Sequence, residues 1–210
     1  MWMAKNNPSA KLKNWQTKGK LMKPMTARNE NIEKQLRKPL TWFCKYYPKR
    51  IINVDERGEA ARQIVYEFKD GVAHEAVAQM TSLAMREQYG KACQDIVFMT
   101  LPASSKTKNE IRYKNFCQRV CELTGAINGY EHIQVEGNRL AIHENRELEK
   151  DIRKVNIIRF DEKWMRNKLI VIFDDVITKG ISYANFANQL EALGAHVLGG
   201  IFLAKTHYIV

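Results

Sequence analysis

The most chemically loaded stretch of this 210-residue chain is 168–182, Lys-Leu-Ile-Val-Ile-Phe-Asp-Asp-Val-Ile-Thr-Lys-Gly-Ile-Ser. An apolar run, 169–173, empties into two adjacent acids, Asp174 and Asp175. Thr178, Lys179, Gly180, Ile181 and Ser182 follow, and a helical pattern then begins. Ligands of open α/β sheets bind beyond the carboxyl ends of the strands. A glycine turn leading onto a helix N-terminus offers a phosphate several backbone N–H donors and the positive end of the helix dipole. Thr178 and Ser182 add hydroxyl donors, and Ser182 also suits the N-cap. Two carboxylates nearby repel such a phosphate, so they must face something else. Vicinal sugar hydroxyls, which donate hydrogen bonds to carboxylates, fit well. The spacing therefore describes a grip for a ribose 5-phosphate.

This stretch resembles the phosphoribosyl-pyrophosphate (PRPP) motif of type I phosphoribosyltransferases: an apolar strand, Asp-Asp, two apolar residues, then Thr-Thr-Gly-x-Thr. Lys179 replaces the second Thr and Ser182 the last. The serine keeps the hydroxyl, and the lysine adds positive charge beside a phosphate. The likeness extends upstream to the ComF-like (competence-type) branch. Phe68-Lys69-Asp70-Gly71 resembles its apolar-Lys-x-Gly signature, and Thr100-Leu101-Pro102-Ala103-Ser104 its Pro-x-Pro-x-Ser with the first Pro lost. Arg112-Tyr113-Lys114-Asn115 and Arg153-Lys154-Val155-Asn156 are similar to its two Arg-x-x-Asn segments, and Leu203-Ala204-Lys205 to its Leu-Ala-Arg. The zinc-ribbon cysteine pairs that open many ComF-like proteins are absent.

The resemblance implies a type I phosphoribosyltransferase-like α/β fold, a mostly parallel sheet flanked by helices, here with a basic N-terminal extension. It also implies Mg²⁺-dependent displacement of pyrophosphate from C1 of PRPP by an acceptor that the sequence does not identify. Asp174 and Asp175 would orient the ribose, and Thr178, Lys179, Gly180, Ile181 and Ser182 would hold its 5-phosphate. Ser104 and Ser105, with Lys106 or Lys108, would hold the pyrophosphate, with Arg112 bracing that loop. The polar segment 137–155 takes the place of the family's flexible hood, which makes Arg139, His143 and Arg153 candidates for closing over PRPP. Mg²⁺ would be held by substrate oxygens and water, with no direct protein ligand.

The elements that must position these groups follow from periodicity. Residues 29–38, 57–69, 73–88, 110–124 and 182–193 carry helical spacing, closed by Pro39, Gly71, Gly90, Gly125 and Gly194 respectively. Strands are expected at 95–99, near 132–135, at 168–173 and at 196–203. Strands alternating with helices predict βαβ units. Tyr113 and Phe116 read as core. Residues 1–27 read as an arm. The aromatic segment 39–50 reads as an apolar lid on the main domain, with a stacking surface for nucleic-acid bases as the alternative.

Composition bounds the remaining possibilities. The chain is 45% hydrophobic and carries a net charge of +11, so it can bury a core without staples. No run approaches the roughly 18 apolar residues of a membrane span. Residues 1–50 hold 13 Lys and Arg against two acids, while 51–210 balance at 21 of each. The expected division is thus a basic extension, 1–50, and a phosphoribosyltransferase-like domain, 51–210, with DNA or RNA a possible partner of the extension. Cys44, Cys93, Cys117 and Cys121 form no CxxC pair, and no apolar leader opens the sequence. Both observations predict reduced thiols and a cytoplasmic setting. A homo-oligomer is left open. The alternative to a transferase is a nucleic-acid-associated effector or regulator that keeps the PRPP pocket, of the kind used in competence-type DNA handling or retron-associated antiphage defence.

Overall fold

Aliphatic and aromatic residues dominate 96–99, 169–173 and 197–203, and such side chains suit a pleated sheet covered on both faces. The computed structural model describes residues 27–136 and 157–209. Five strands form one parallel sheet: β1 (Leu40–Tyr46), β2 (Ile96–Thr100), β3 (Ile127–Asn128), β6 (Leu169–Ile177) and β7 (His196–Thr206), in the order β1-β7-β6-β2-β3. β4 (Ile133–Glu136) and β5 (Ile157–Phe160) make a separate antiparallel pair. The expected α/β architecture, a mostly parallel sheet flanked by helices, is observed.

Both faces of the sheet are covered. On one face α2 (Glu56–Lys69), α3 (His74–Tyr89) and α5 (Asn115–Thr124) pack through Val65, Phe68, Val77, Met85, Phe116 and Val120 onto Phe98, Val171, Phe173 and Leu203. The rings of Phe68 and Phe116 meet edge to face at 4.9 Å, and Phe116 lies 4.5 Å from Phe173. On the other face α7 (Ile181–Ala192) sets Tyr183, Phe186 and Leu190 against Ile170, Ile172, Val197 and Phe202. α1 (Ala27–Leu36) adds Ile32 and Leu36 to that layer. Short helices α4 (Lys106–Asn109) and α6 (Glu162–Met165) complete the chain, and a π-helical turn, Glu110–Lys114, joins α4 to α5.

Three features depart from the sequence expectation. The segment read as a lid is strand β1, which pairs with β7 from Leu40↔Gly200 to Tyr46↔Thr206. The sheet thus begins on the N-terminal side of the boundary drawn at residue 50. Its docking needs Gly199, where an added Cβ would lie 2.3 Å from the Pro39 carbonyl oxygen. β6 and β7 both run beyond their apolar cores, because each satisfies the other's backbone from Asp174↔Phe202 to Ile177↔Lys205. Asp174 and Asp175 therefore lie inside the strand and not after it. The strand expected near 132–135 is real but belongs to the antiparallel pair, while the parallel edge strand is the two-residue β3 that precedes it. The loop expected at 137–155 lies outside the described residues, as does the arm expected at 1–27 except its last residue.

Phe116 is fully buried at the centre of the aromatic cluster. Phe116→Ala should lower stability by about 3–5 kcal/mol. Melting temperature should fall by on the order of 10 °C for a chain of this size, measurable by differential scanning calorimetry.

Candidate functional site

β2 ends at Thr100, opposite Phe173, and the Leu101 N–H closes the ladder on the Phe173 carbonyl at 2.8 Å. β6 continues with only β7 beside it. Asp174 and Asp175 thus fall where the strand has lost one neighbour, in a notch at the carboxyl edge of the sheet. Two elements converge on them, the π-helical turn and the end of α2. Arg112, from the π-helical turn, places Nη1 2.5 Å from Asp175 Oδ2. Lys69, the last residue of α2, places Nζ 3.6 Å from Asp175 Oδ1. Tyr113 Oη donates to Asp174 Oδ1 at 3.3 Å, and the Asp175 N–H donates to the same oxygen at 2.8 Å.

The π-helical turn explains how two consecutive residues serve two adjacent carboxylates. Such turns widen a helix by one residue and are frequent at functional sites. Here the turn delivers Arg112 and Tyr113 together. His74 hydrogen-bonds the Arg112 backbone, and burial lowers the His74 pKa, an effect that this bond opposes.

The electrostatics of the two acids differ. Asp175 is buried and lies between two cations. For Asp174, burial is the largest influence and the Asp175 charge the next, and both raise its pKa. The Asp175 N–H, Arg112 and Lys69 oppose them only in part, so the pKa stands well above the ordinary carboxyl range. Asp174 is the acid that tends to hold a proton.

Below Asp174 opens a cavity of about 270 Å³, lined by Asp174, Ile177, Thr178, Lys179, Gly180 and Ser182 with the Tyr183 and Phe202 rings. Gly180 is left-handed at φ 70° and occupies the position before α7. The Ala184 N–H makes the first helical bond to the Gly180 carbonyl at 2.9 Å. The N–H groups of Ile181, Ser182 and Tyr183 are therefore left without helical acceptors. Gly180 also touches α1, since a Cβ there would lie 2.4 Å from Leu36 Cδ2. The Thr178 and Thr206 hydroxyls share a hydrogen bond of 2.8 Å.

The structure gathers Asp174, Thr178, Lys179, Gly180, Ile181 and Ser182 into one cavity, but other expected roles change. Ser182 does not cap α7. Gly180 stands at the cap position with no side-chain bond, and Ser182 is the second residue of the helix. Arg112 does not brace the 103–106 loop, because its guanidinium is held by Asp175. That loop is held instead by Asn109 Oδ1, which accepts the Ala103 N–H at 2.9 Å. Ser105 caps α4 by accepting the Lys108 N–H at 3.3 Å. Ser104 lies beside it at the carboxyl end of β2. Lys106 lines a second cavity of about 400 Å³ with Glu110, Lys114, Tyr130 and Gln134. Arg139, His143 and Arg153 lie outside the described residues.

Sequence reasoning gave no site role to Lys69, Tyr113, His74 or Thr206. Lys69 stood in the Phe68-Lys69-Asp70-Gly71 segment that resembles the apolar-Lys-x-Gly signature, but that match assigned it no role. Tyr113 sat on an apolar face, so its ring read as core, and that ring is indeed fully buried. Only its hydroxyl reaches the site.

Among the described residues no three His, Cys, Asp or Glu side chains cluster as a metal cage, and no helix is long and apolar enough to cross a membrane. No protein-family model matches the chain, and no curated protein matches it. Among solved structures the chain is similar to phosphoribosylpyrophosphate synthetase from Mycobacterium smegmatis, with a TM-score of 0.37 and 18% identity over 61% of this chain. The match spans 33% of that structure's length.

The raised Asp174 pKa has a measurable consequence. The folded state retains a proton that the unfolded carboxyl releases above about pH 4, so this group's contribution to stability falls as pH rises. His74 and His207, both lowered by burial, act with the opposite sign below about pH 6.5 and are common to wild type and variant. The stability difference between Asp174→Asn and wild type should therefore shift in favour of the variant from about pH 5 to about pH 8 in urea unfolding. A difference that stays constant across that range contradicts the assignment.

Proposed function

We propose that this protein binds PRPP at the 174–182 loop and transfers its phosphoribosyl group to an acceptor, releasing pyrophosphate. The observation that carries the reading is the joint lining of one small cavity by a carboxylate and a glycine-led helix N-terminus. The cavity, about 270 Å³, is at the lower end of ligand clefts, which run from about 300 Å³ upward. It suits a sugar phosphate better than a whole nucleotide. The 5-phosphate would take the free N–H groups of α7 and the Thr178 and Ser182 hydroxyls, with Lys179 balancing charge. The ribose hydroxyls would meet Asp174. The pyrophosphate would extend out of the cavity through the notch, toward Ser104, Ser105 and Lys106 at the end of β2.

The two carboxylates divide the work on this reading. Asp175 is fixed by Arg112 and Lys69, so it acts as a rigid support that keeps both cations beside the reacting sugar. Asp174 is the group free to exchange a hydrogen bond or a proton with ribose. In the reaction the bond between C1 and the pyrophosphate oxygen breaks, its electron pair leaves with the pyrophosphate, and the acceptor's lone pair forms the new bond to C1. Negative charge grows on the leaving group, and donors that meet it there stabilise the transition state more than the ground state.

Mg²⁺ fits this site only as an ion brought by the substrate. Asp175 is committed to Arg112 and Lys69, and Asp174 tends toward its neutral form, so the pair does not form a cation cage. Held by pyrophosphate and water, Mg²⁺ would neutralise the leaving group.

Addition of PRPP with Mg²⁺ at about 100 times its Kd should stabilise the protein by about 2.7 kcal/mol. That is a melting shift of roughly 5–10 °C. Gly180→Ala strains a left-handed position and drives a methyl into Leu36, and it should abolish the shift. Ribose 5-phosphate should give a smaller shift without Mg²⁺. Release of pyrophosphate from PRPP across a panel of nucleobases and nucleic acids then identifies the acceptor. Absence of any PRPP-dependent shift in the wild-type protein overturns the reading.

A further inference from the structure

The carboxyl edge of the sheet continues past the candidate site onto β7 and β1. Lys205 stands in register with Ile177 on one side and Lys45 on the other, so two lysines lie directly opposite on neighbouring strands. Strands are about 4.8 Å apart, and like charges so placed destabilise a sheet unless something answers them. Nothing within the described residues does so. Lys45, Lys49, Arg50 and Lys205 have no ion pair with a carboxylate there. Their neighbour His207 has its pKa lowered by burial and then by Lys45 and Lys205, so the positive field is felt locally.

Three of these cations rest on aromatic rings. Lys205 Nζ lies 4.0 Å from the centre of Trp42, Arg50 lies 5.2 Å from Tyr208, and Lys49 lies 5.3 Å from Tyr66. Trp42 is 41% exposed and Tyr208 48% exposed, so each keeps ring surface for another partner. Between β1 and the start of α2 opens a cleft of about 300 Å³ lined by Cys44, Lys45, Tyr47, Asp55, Arg57 and Ala61. Its one acid, Asp55, already accepts the Gly58 N–H at 2.8 Å as the α2 cap. The cleft has an apolar wall and a cationic rim.

We propose that this ledge, formed by β1, the end of β7 and the β1–α2 cleft, binds single-stranded nucleic acid. Phosphates would lie along Lys45, Lys49, Arg50 and Lys205, and unpaired bases on Trp42, Tyr208 and in the cleft. Cations beside partly open aromatic rings are how single strands are held without base reading. A duplex keeps its base faces stacked inside and cannot use the rings. The ledge abuts the 178–182 loop through the Thr178–Thr206 hydrogen bond, yet the proposal does not depend on what that loop binds. It also locates polyanion contact on the folded sheet and not only on the basic residues that precede it.

The test uses the full chain and fluorescein-labelled 20-mers of oligo-dT and oligo-U, read by anisotropy at several salt concentrations. Single strands should bind at least tenfold more tightly than a blunt duplex of equal length. Lys45→Glu/Lys49→Glu/Arg50→Glu should weaken binding at least tenfold and flatten the salt dependence by about 2 in slope. Trp42→Ala should weaken it about tenfold with little change in slope. Lys91→Glu, at an exposed residue in the turn between α3 and the start of β2, should leave affinity unchanged. Circular dichroism and the PRPP melting shift serve as readouts of intact fold and pocket in every variant. Wild-type affinity in the triple variant overturns the proposal, as does equal binding of duplex or full displacement by polyglutamate. Loss of the PRPP shift with oligonucleotide binding intact separates failure of the pocket reading from failure of this one.

Discussion

The architecture of this site depends on holding two adjacent carboxylates at the mouth of a sheet. A buried carboxylate without a partner is costly, and two side by side repel each other as well. The fold resolves this unequally. Asp175 receives both cations, Arg112 and Lys69, while Asp174 receives neutral donors from Tyr113 and the backbone and tends toward its protonated form. Much of the surrounding structure follows from that division. α2 must end at Lys69, and the helix after β2 must widen at Glu110–Lys114 so that residues 112 and 113 point at the same notch. His74 then holds the widened backbone from α3.

The second constraint is the contact between the N-terminal helix and the loop. α1 is clamped to α7 through Glu191, which accepts hydrogen bonds from Lys34 at 3.0 Å, Gln35 at 2.8 Å and Lys38 at 2.5 Å. Burial alone would raise the Glu191 pKa, but bonds from Lys38, Lys34 and Gln35 outweigh it and hold it at about 2. The clamp sets Leu36 against Gly180. Part of the basic charge that marks the N-terminal quarter is thus spent inside the fold, on an acid of α7. Lys45, Lys49 and Arg50, cations of that quarter with no carboxylate partner among the described residues, lie at the sheet's carboxyl edge.

Local pattern revealed the elements well where it was strong. The helical spacing of Ala60, Ile64, Val65 and Phe68 and the stops at Gly71 and Gly125 placed helix ends within a residue or two of their observed positions, although Ala61 and not Ala60 is the buried alanine. The pattern failed where pairing decides the outcome. Trp42, Phe43 and Tyr46 looked like a lid because aromatic surface needs cover, and only the unpaired edge of β7 shows that the cover is a strand ladder. The length of β6 was hidden for the same reason, since Asp174 and Asp175 are poor strand residues kept extended by Phe202 and Ala204 across the ladder. β3 was invisible at two residues.

The sequence by itself determined that 168–182 is a strand, turn and helix start with acids, hydroxyls and a glycine in phosphate-binding order. Those properties rest on neighbouring residues, whose backbone preferences act locally. Only the tertiary structure decided which acid is neutralised, which residue precedes the helix, and that Arg112 serves Asp175 in place of the 103–106 loop. Arg112 and Asp175 are 63 residues apart and Lys34 and Glu191 157 apart. No local preference can encode such pairs. They are selected when burial removes water and leaves each charge with the few partners the packing brings within reach.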